Sequence, residues 1–86
     1  MYKNKNADGS LNLCGNKIKE LRQALIPTVS QRMLADQLQL IGIDLDKNAI
    51  QKIESGKRFV TDIEIVALAK VFQITTDELL KYNLWF

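Results

Sequence analysis

Between Ser30 and Arg58 the apolar residues return at intervals of three and four, in two short runs parted by Gly42. Leu34, Leu38 and Ile41 make the first run, Ile50 and Ile53 the second. That spacing puts apolar side chains on one stripe of a helix. The only alternation fit for a strand, Ile41 to Leu45, is too short to build a sheet. The chain is thereby restricted to packed helices.

The rest of the sequence repeats the pattern. From about Gly15 to Ile26, residues Ile18, Leu21 and Leu25 form a stripe, and Pro27 ends this first helix by disfavouring a helical Ile26 and lacking an N–H. Ser30 is a good N-cap for a second helix, and Gly42 supplies the left-handed residue that closes it. Ile43 and Leu45 alternate with Asp44 and Asp46, so the connection is expected to be extended but anchored in the core. Asp46 caps a third helix from Lys47 to about Ser55, with Ile50 and Ile53 inward and Gly56 at its end.

Thr61-x-x-Glu64 is a capping box that opens a fourth helix with Ile65, Leu68, Ala69 and Phe72 buried. Ile63, Val66 and Val71 widen that stripe, which places the helix either centrally in the core or in a dimer interface. A second capping box, Thr75-x-x-Glu78, opens a fifth helix with Leu79 and Leu80. The fold class is all-α, a compact five-helix bundle.

At 86 residues the chain is one domain, large enough to fold without disulfides or a metal. Residues 1–12 read as a flexible arm, 13–83 as the folded domain and 84–86 as an apolar end. Lys3 and Lys5 in the arm are candidate contacts to an anionic partner, with an untethered tail as the alternative. Tyr82, Leu84, Trp85 and Phe86 either fold back over the core, form a dimer contact or lead into a further domain. No apolar run approaches the ~20 residues that span a bilayer, and the polar start lacks a signal-peptide core, which points to a soluble cytoplasmic protein.

Catalysis has little to work with. There is no histidine, and Cys14 is the single cysteine, so nucleophile–histidine pairs and His/Cys metal sites are both excluded. Cys14 reads as a small apolar residue near a helix start, although that position can also lower a thiol pKa. Asp44 with Asp46, and Asp77 with Glu78, are explained as caps and turn residues. No enzyme activity, cofactor, metal or small-molecule ligand is expected.

Net charge is only +2, but it is unevenly spread. Residues 1–58 hold ten Lys/Arg against six Asp/Glu, and residues 59–86 hold two against four. A basic first part with an acidic end fits a module that turns one face toward phosphate. On the third helix Lys47, Asn48, Gln51 and Lys52 share one face. Amides and ammoniums are the groups that hydrogen-bond base edges in a major groove.

Taken in order, GNKIKELRQAL, SQRMLADQL, NAIQKIESGKR and EIVALAKVFQITTDELL resemble the lambda repressor/Cro-type helix-turn-helix domain, or XRE family, over roughly residues 15–81. The resemblance implies a lambda-repressor-like bundle that binds double-stranded DNA and regulates transcription. It implies that Lys47, Asn48, Gln51 and Lys52 read bases, and that Gln31 meets the DNA backbone and braces the reading helix. Arg32, Ser55, Lys57 and Arg58 join Gln31 as phosphate contacts, with Arg32 open to being a plain surface residue. Glu54 of the Ile-Glu-x-Gly signature is expected to pair with Arg22 as scaffold.

One departure stands out. The family joins its two key helices by a turn of about three residues, whereas Gln39 to Asp46 here make eight. The second helix is expected to gain about a turn before Gly42. A single helix reads weakly, so the expected reader is a homodimer on a pseudo-palindromic operator, acting as a repressor. The alternative is a protein-interaction module, or the antitoxin of a toxin–antitoxin pair, on the same fold.

Overall fold

The structure is a computed structural model that describes residues 9–80. Lys3 and Lys5, and the apolar Tyr82, Leu84, Trp85 and Phe86, lie outside the described residues. Five helices follow one another: α1 (Gly15–Ala24), α2 (Gln31–Leu40), α3 (Lys47–Glu54), α4 (Asp62–Phe72) and α5 (Thr76–Leu79). Among the described residues there is no strand. None of these helices is long and apolar enough to cross a membrane.

The caps are those the sequence encodes. Ser30, Asp46, Thr61 and Thr75 each accept from a backbone N–H three residues on, at 2.8–3.2 Å. Thr61 and Glu64 complete their box, because the Glu64 carboxylate accepts from the Thr61 N–H at 3.0 Å. Thr75 and Glu78 form the forward half. The Glu78 carboxylate instead lies 3.7 Å from the Lys17 ammonium, tying α5 to α1.

Helix ends are set by backbone geometry. At the end of α2 the Gly42 N–H donates to the Gln39 carbonyl and the Ile43 N–H to the Leu38 carbonyl, both at 3.0 Å. Gly42 supplies the left-handed turn, φ +88°, that this double closure requires. Ile43 is thereby directed back onto the core, as the alternating pattern implied. Of the eight residues between Leu38 and Lys47, two extend α2 and six form the connection, so the helix gains less than the expected turn.

One boundary and two burial expectations need correction. The first helix stops at Ala24, not Ile26, because Leu25 is already extended at ψ 146° on the approach to Pro27. Leu25 and Ile41, expected inside, are exposed. Each completes a helical spacing just where its helix ends, and no described element covers it.

The core is assembled from every helix. Ile18 of α1, Leu34 and Leu38 of α2, Ile50 and Ile53 of α3, Leu68 of α4 and Leu79 of α5 are all withdrawn from solvent. Leu45 joins them from the α2–α3 connection. Burying such a side chain contributes about 1.5–3 kcal/mol. Packing of this kind pins the back of α3 and leaves its other side free for function.

Residues 10–12, at the end of the span read as an arm, are bonded into the body. The Leu11 N–H donates to the Gly56 carbonyl at 2.8 Å. The Asn12 amide donates to the carbonyls of Ile53 at 3.0 Å and Arg58 at 2.8 Å, and its oxygen accepts from the Gly15 N–H at 2.8 Å. The segment therefore caps the C-terminal end of α3 while it starts α1.

Candidate nucleic-acid interface

Helix α3 has two unlike sides. Ile50 and Ile53 are fully buried and Glu54 nearly so, whereas Lys47, Asn48, Gln51, Lys52 and Ser55 are all exposed. The exposed set follows positions i, i+1, i+4, i+5 and i+8, one face of a helix. No side-chain hydrogen bond to another described residue engages Lys47, Asn48, Gln51 or Lys52. Four donor-bearing side chains thus stand together in solvent on a rigid support. The structure brings the sequence-predicted reading residues onto one surface.

Support comes from a polar anchor behind that surface. Arg22 Nε and Nη2 donate to the two Glu54 carboxylate oxygens at 2.8 and 2.9 Å, and Nη1 donates to the Val29 carbonyl at 3.0 Å. Gln31 Nε2 donates to Glu54 Oε1 at 3.1 Å. One buried carboxylate therefore joins α1, the start of α2 and the end of α3. Its hydrogen bonding to Glu54 raises the Arg22 pKa, against the opposing effect of burial, and keeps the guanidinium charged.

The electrostatics favour an anion in front. Neither α2 nor α3 has an acidic residue in its first turn; the α2 start meets only the neutral Ser30 cap, whereas the Asp46 carboxylate already caps α3. Arg32 and Lys47, both exposed, add full charges at those two ends. Ser55 closes α3, donating to the Lys52 carbonyl at 3.2 Å, and lines a polar cleft with Asn16 and Lys57. Asn16 was not singled out in the sequence. The docking of residues 10–12 against Gly56, together with the Arg22–Glu54 pair, holds α1 against the end of α3, and Asn16 lines the same cleft as Lys57.

Arg58, expected as a phosphate contact, is engaged within the chain. Its Nη1 donates to Glu64 Oε1 at 2.9 Å and to the Phe59 carbonyl at 2.8 Å, and Nη2 donates to Glu64 Oε2 at 3.2 Å. A guanidinium held on three bonds is committed to the α3–α4 joint. Burial pushes the Glu64 carboxyl pKa up, but hydrogen bonds from Arg58 and the Thr61 N–H, with the Arg58 charge, bring it below its ordinary value. Lys57, exposed one residue earlier, has no such partner among the described side chains.

Cys14 is buried at the start of α1, and burial drives its thiol up to about 11 against the lowering effect of a backbone hydrogen bond. The helix start does not activate it. It serves as a small core residue.

A helix-turn-helix family model matches residues 18–79. The chain belongs to the lambda repressor/Cro-type, or XRE, helix-turn-helix family. The match runs from Ile18, within α1, to the end of α5 and includes both sides of α3. This helix-turn-helix domain is DNA-binding and acts in transcription regulation; the family domain is not an enzyme. No curated protein and no solved structure is detectably similar to the chain.

Proposed function

We propose that the chain reads a specific double-stranded DNA sequence with the outer face of α3, as a homodimeric repressor on a pseudo-palindromic operator. The observation that carries this reading is the exposed stripe of Lys47, Asn48, Gln51 and Lys52, held from behind by Ile50, Ile53 and the Arg22–Glu54 pair. With α3 in the major groove, Lys47 or Lys52 donates to guanine O6 and N7, and Asn48 or Gln51 pairs with adenine N6 and N7.

Phosphates are held on either side of that stripe. Arg32 and the start of α2 take one strand, with Gln31 bracing from Glu54. Ser55 and Lys57 take the other, and Asn16 joins them across the cleft. Each good bidentate base contact discriminates by roughly 1–3 kcal/mol, so one helix gives modest selectivity and a second copy is needed. Two-fold symmetry then sets half-sites about one helical turn apart. As a repressor, the bound dimer occludes the DNA it covers.

Selection of bound duplexes from random DNA tests the reading. The wild-type chain is expected to return a motif with an inverted repeat. Alanine at Lys47, Asn48 and Gln51 together is expected to flatten that motif while leaving weak non-specific binding. A motif unchanged by the triple substitution rules out α3 as the reader.

A further inference from the structure

The exposed side of α4 is apolar at its centre. Asp62, Ile63, Val66 and Lys70 are its solvent-facing residues, and the two in the middle are apolar. Ile63 is 67% exposed and Val66 47%, with Phe59, four residues before Ile63, at 53%. A β-branched pair in water on an otherwise well-capped helix is unexplained by the core, which α4 meets through Ala67, Leu68 and Ala69.

Charge placement on this face identifies the occupant. Asp62 precedes Val66 by four residues and Lys70 follows it by four. When two such helices lie antiparallel about a dyad at Val66, each residue at 66 − n faces the one at 66 + n of the other copy. Asp62 of one copy then meets Lys70 of the other, twice, at about 6 Å along the axis on either side of the dyad. Val66 packs on Val66 at the centre and Ile63 fills the flanks. Such a surface is self-complementary in the manner a two-fold interface requires. A parallel arrangement would stack like charges at both ends.

We propose that the outer face of α4, Asp62, Ile63, Val66 and Lys70, is where two copies of this chain pair antiparallel on adjacent half-sites. This deepens the dimeric reading above and rests on it. The face is one side of a helix about 16 Å long, so the pairing is weak in free solution and takes effect when DNA holds both copies at high local concentration. The charged ends fix orientation more than they add affinity. Among the other apolar exposures, Leu25 with Ile26 follows the end of α1, and Leu40 with Ile41 lies at the end of α2, where the connection that delivers α3 to the groove begins. A second copy seated there would obstruct reading.

The test compares binding to a duplex carrying both half-sites, recovered by the selection above, with binding to a duplex carrying one. Wild type is expected to fill the second half-site roughly tenfold more tightly than an isolated one. Val66→Glu is expected to fill the two independently. Asp62→Lys is expected to lose most of the advantage, and Asp62→Lys with Lys70→Asp to regain it, since reversing both charges restores the pairing. The two surface substitutions leave the core intact and keep the proposal testable should Val66→Glu fold poorly.

Recovery of only single, asymmetric sites defeats the dimeric reading, and this surface with it. Recovery of symmetric sites on which Val66→Glu stays cooperative leaves the dimer standing and overturns this surface. Cooperativity retained alongside a lowered thermal midpoint marks the chain's own apolar end, Leu84 to Phe86, as the occupant and likewise overturns it. Failure of the reversed charge pair to regain what Asp62→Lys loses refutes the antiparallel arrangement and the proposal.

Discussion

Arg22 and Glu54, 32 residues apart in the chain, meet through two hydrogen bonds of 2.8 and 2.9 Å with both side chains almost wholly buried. The pair fixes α1 against the end of α3, and Gln31 shares the same carboxylate. Removing one partner strands the other charge in the interior, which costs about 3–5 kcal/mol, more than the net worth of the intact pair. Glu54→Ala is therefore expected to lower folding stability by that amount in urea denaturation. Gln31→Ala, which removes one bond to a carboxylate that keeps Arg22, is expected to cost only about 1 kcal/mol.

Much of this arrangement was legible in the sequence, and the failures share a cause. Caps, turn glycines and the buried positions of α3 are fixed by neighbours within four residues, and local spacing reveals them. Periodicity identifies a face without saying that anything covers it, which is why Leu25 and Ile41 belong to apolar stripes and remain exposed. Arg58 reads as a phosphate contact from its sign and position. Its commitment to Glu64 depends on the capping box turning that carboxylate back toward the α3–α4 joint. Asn12 carried a usable signal: an Asn three residues before a helix start is a local capping type. Its bonds to Ile53 and Arg58, more than 40 residues away, are tertiary and left no local trace.

Lys57 and Arg58 are adjacent cations in different surroundings. Lys57 is exposed and lines the cleft with Ser55, whereas Arg58 is bound to Glu64. Lys57→Ala is expected to reduce the slope of log affinity against log salt by about one unit without altering the motif. Arg58→Ala is expected to lower the thermal midpoint and change the salt slope little. Titration of DNA binding across a range of salt concentrations, with melts of both variants, separates the two cases. An equal loss of slope in both variants refutes the division.

The Glu64 carboxyl has a folded-state pKa below its ordinary value, so its effect on stability has a definite sign. At pH values between the folded and unfolded pKa, the unfolded chain binds the proton and the folded chain does not, so stability rises with pH. The contribution is complete above the ordinary carboxylate range of about 4.3 and disappears as pH falls through the folded value. Glu64→Gln is expected to destabilise the protein near neutral pH and to flatten its loss of stability below about pH 4.3. Urea midpoints measured from neutral pH down through the acid range check both statements.

Gly42 and Gly56 both adopt left-handed backbone, φ +88° and +75°, yet a methyl group at the two sites meets different surroundings. At Gly42 a Cβ meets nothing within 4 Å, so Gly42→Ala carries only the left-handed penalty of roughly 1–2 kcal/mol. At Gly56 it would lie 2.8 Å from the Ser10 Cβ, a separation real Cβ atoms do not adopt. Gly56→Ala therefore carries the same backbone penalty and also displaces the segment whose Leu11 N–H is bonded to the Gly56 carbonyl. It is expected to be the more destabilising of the two in denaturant. It is also expected to speed amide exchange at Leu11, which Gly42→Ala leaves unchanged. Equal costs, with Leu11 equally protected in both variants, would show that residues 10–12 contribute nothing to holding the end of α3.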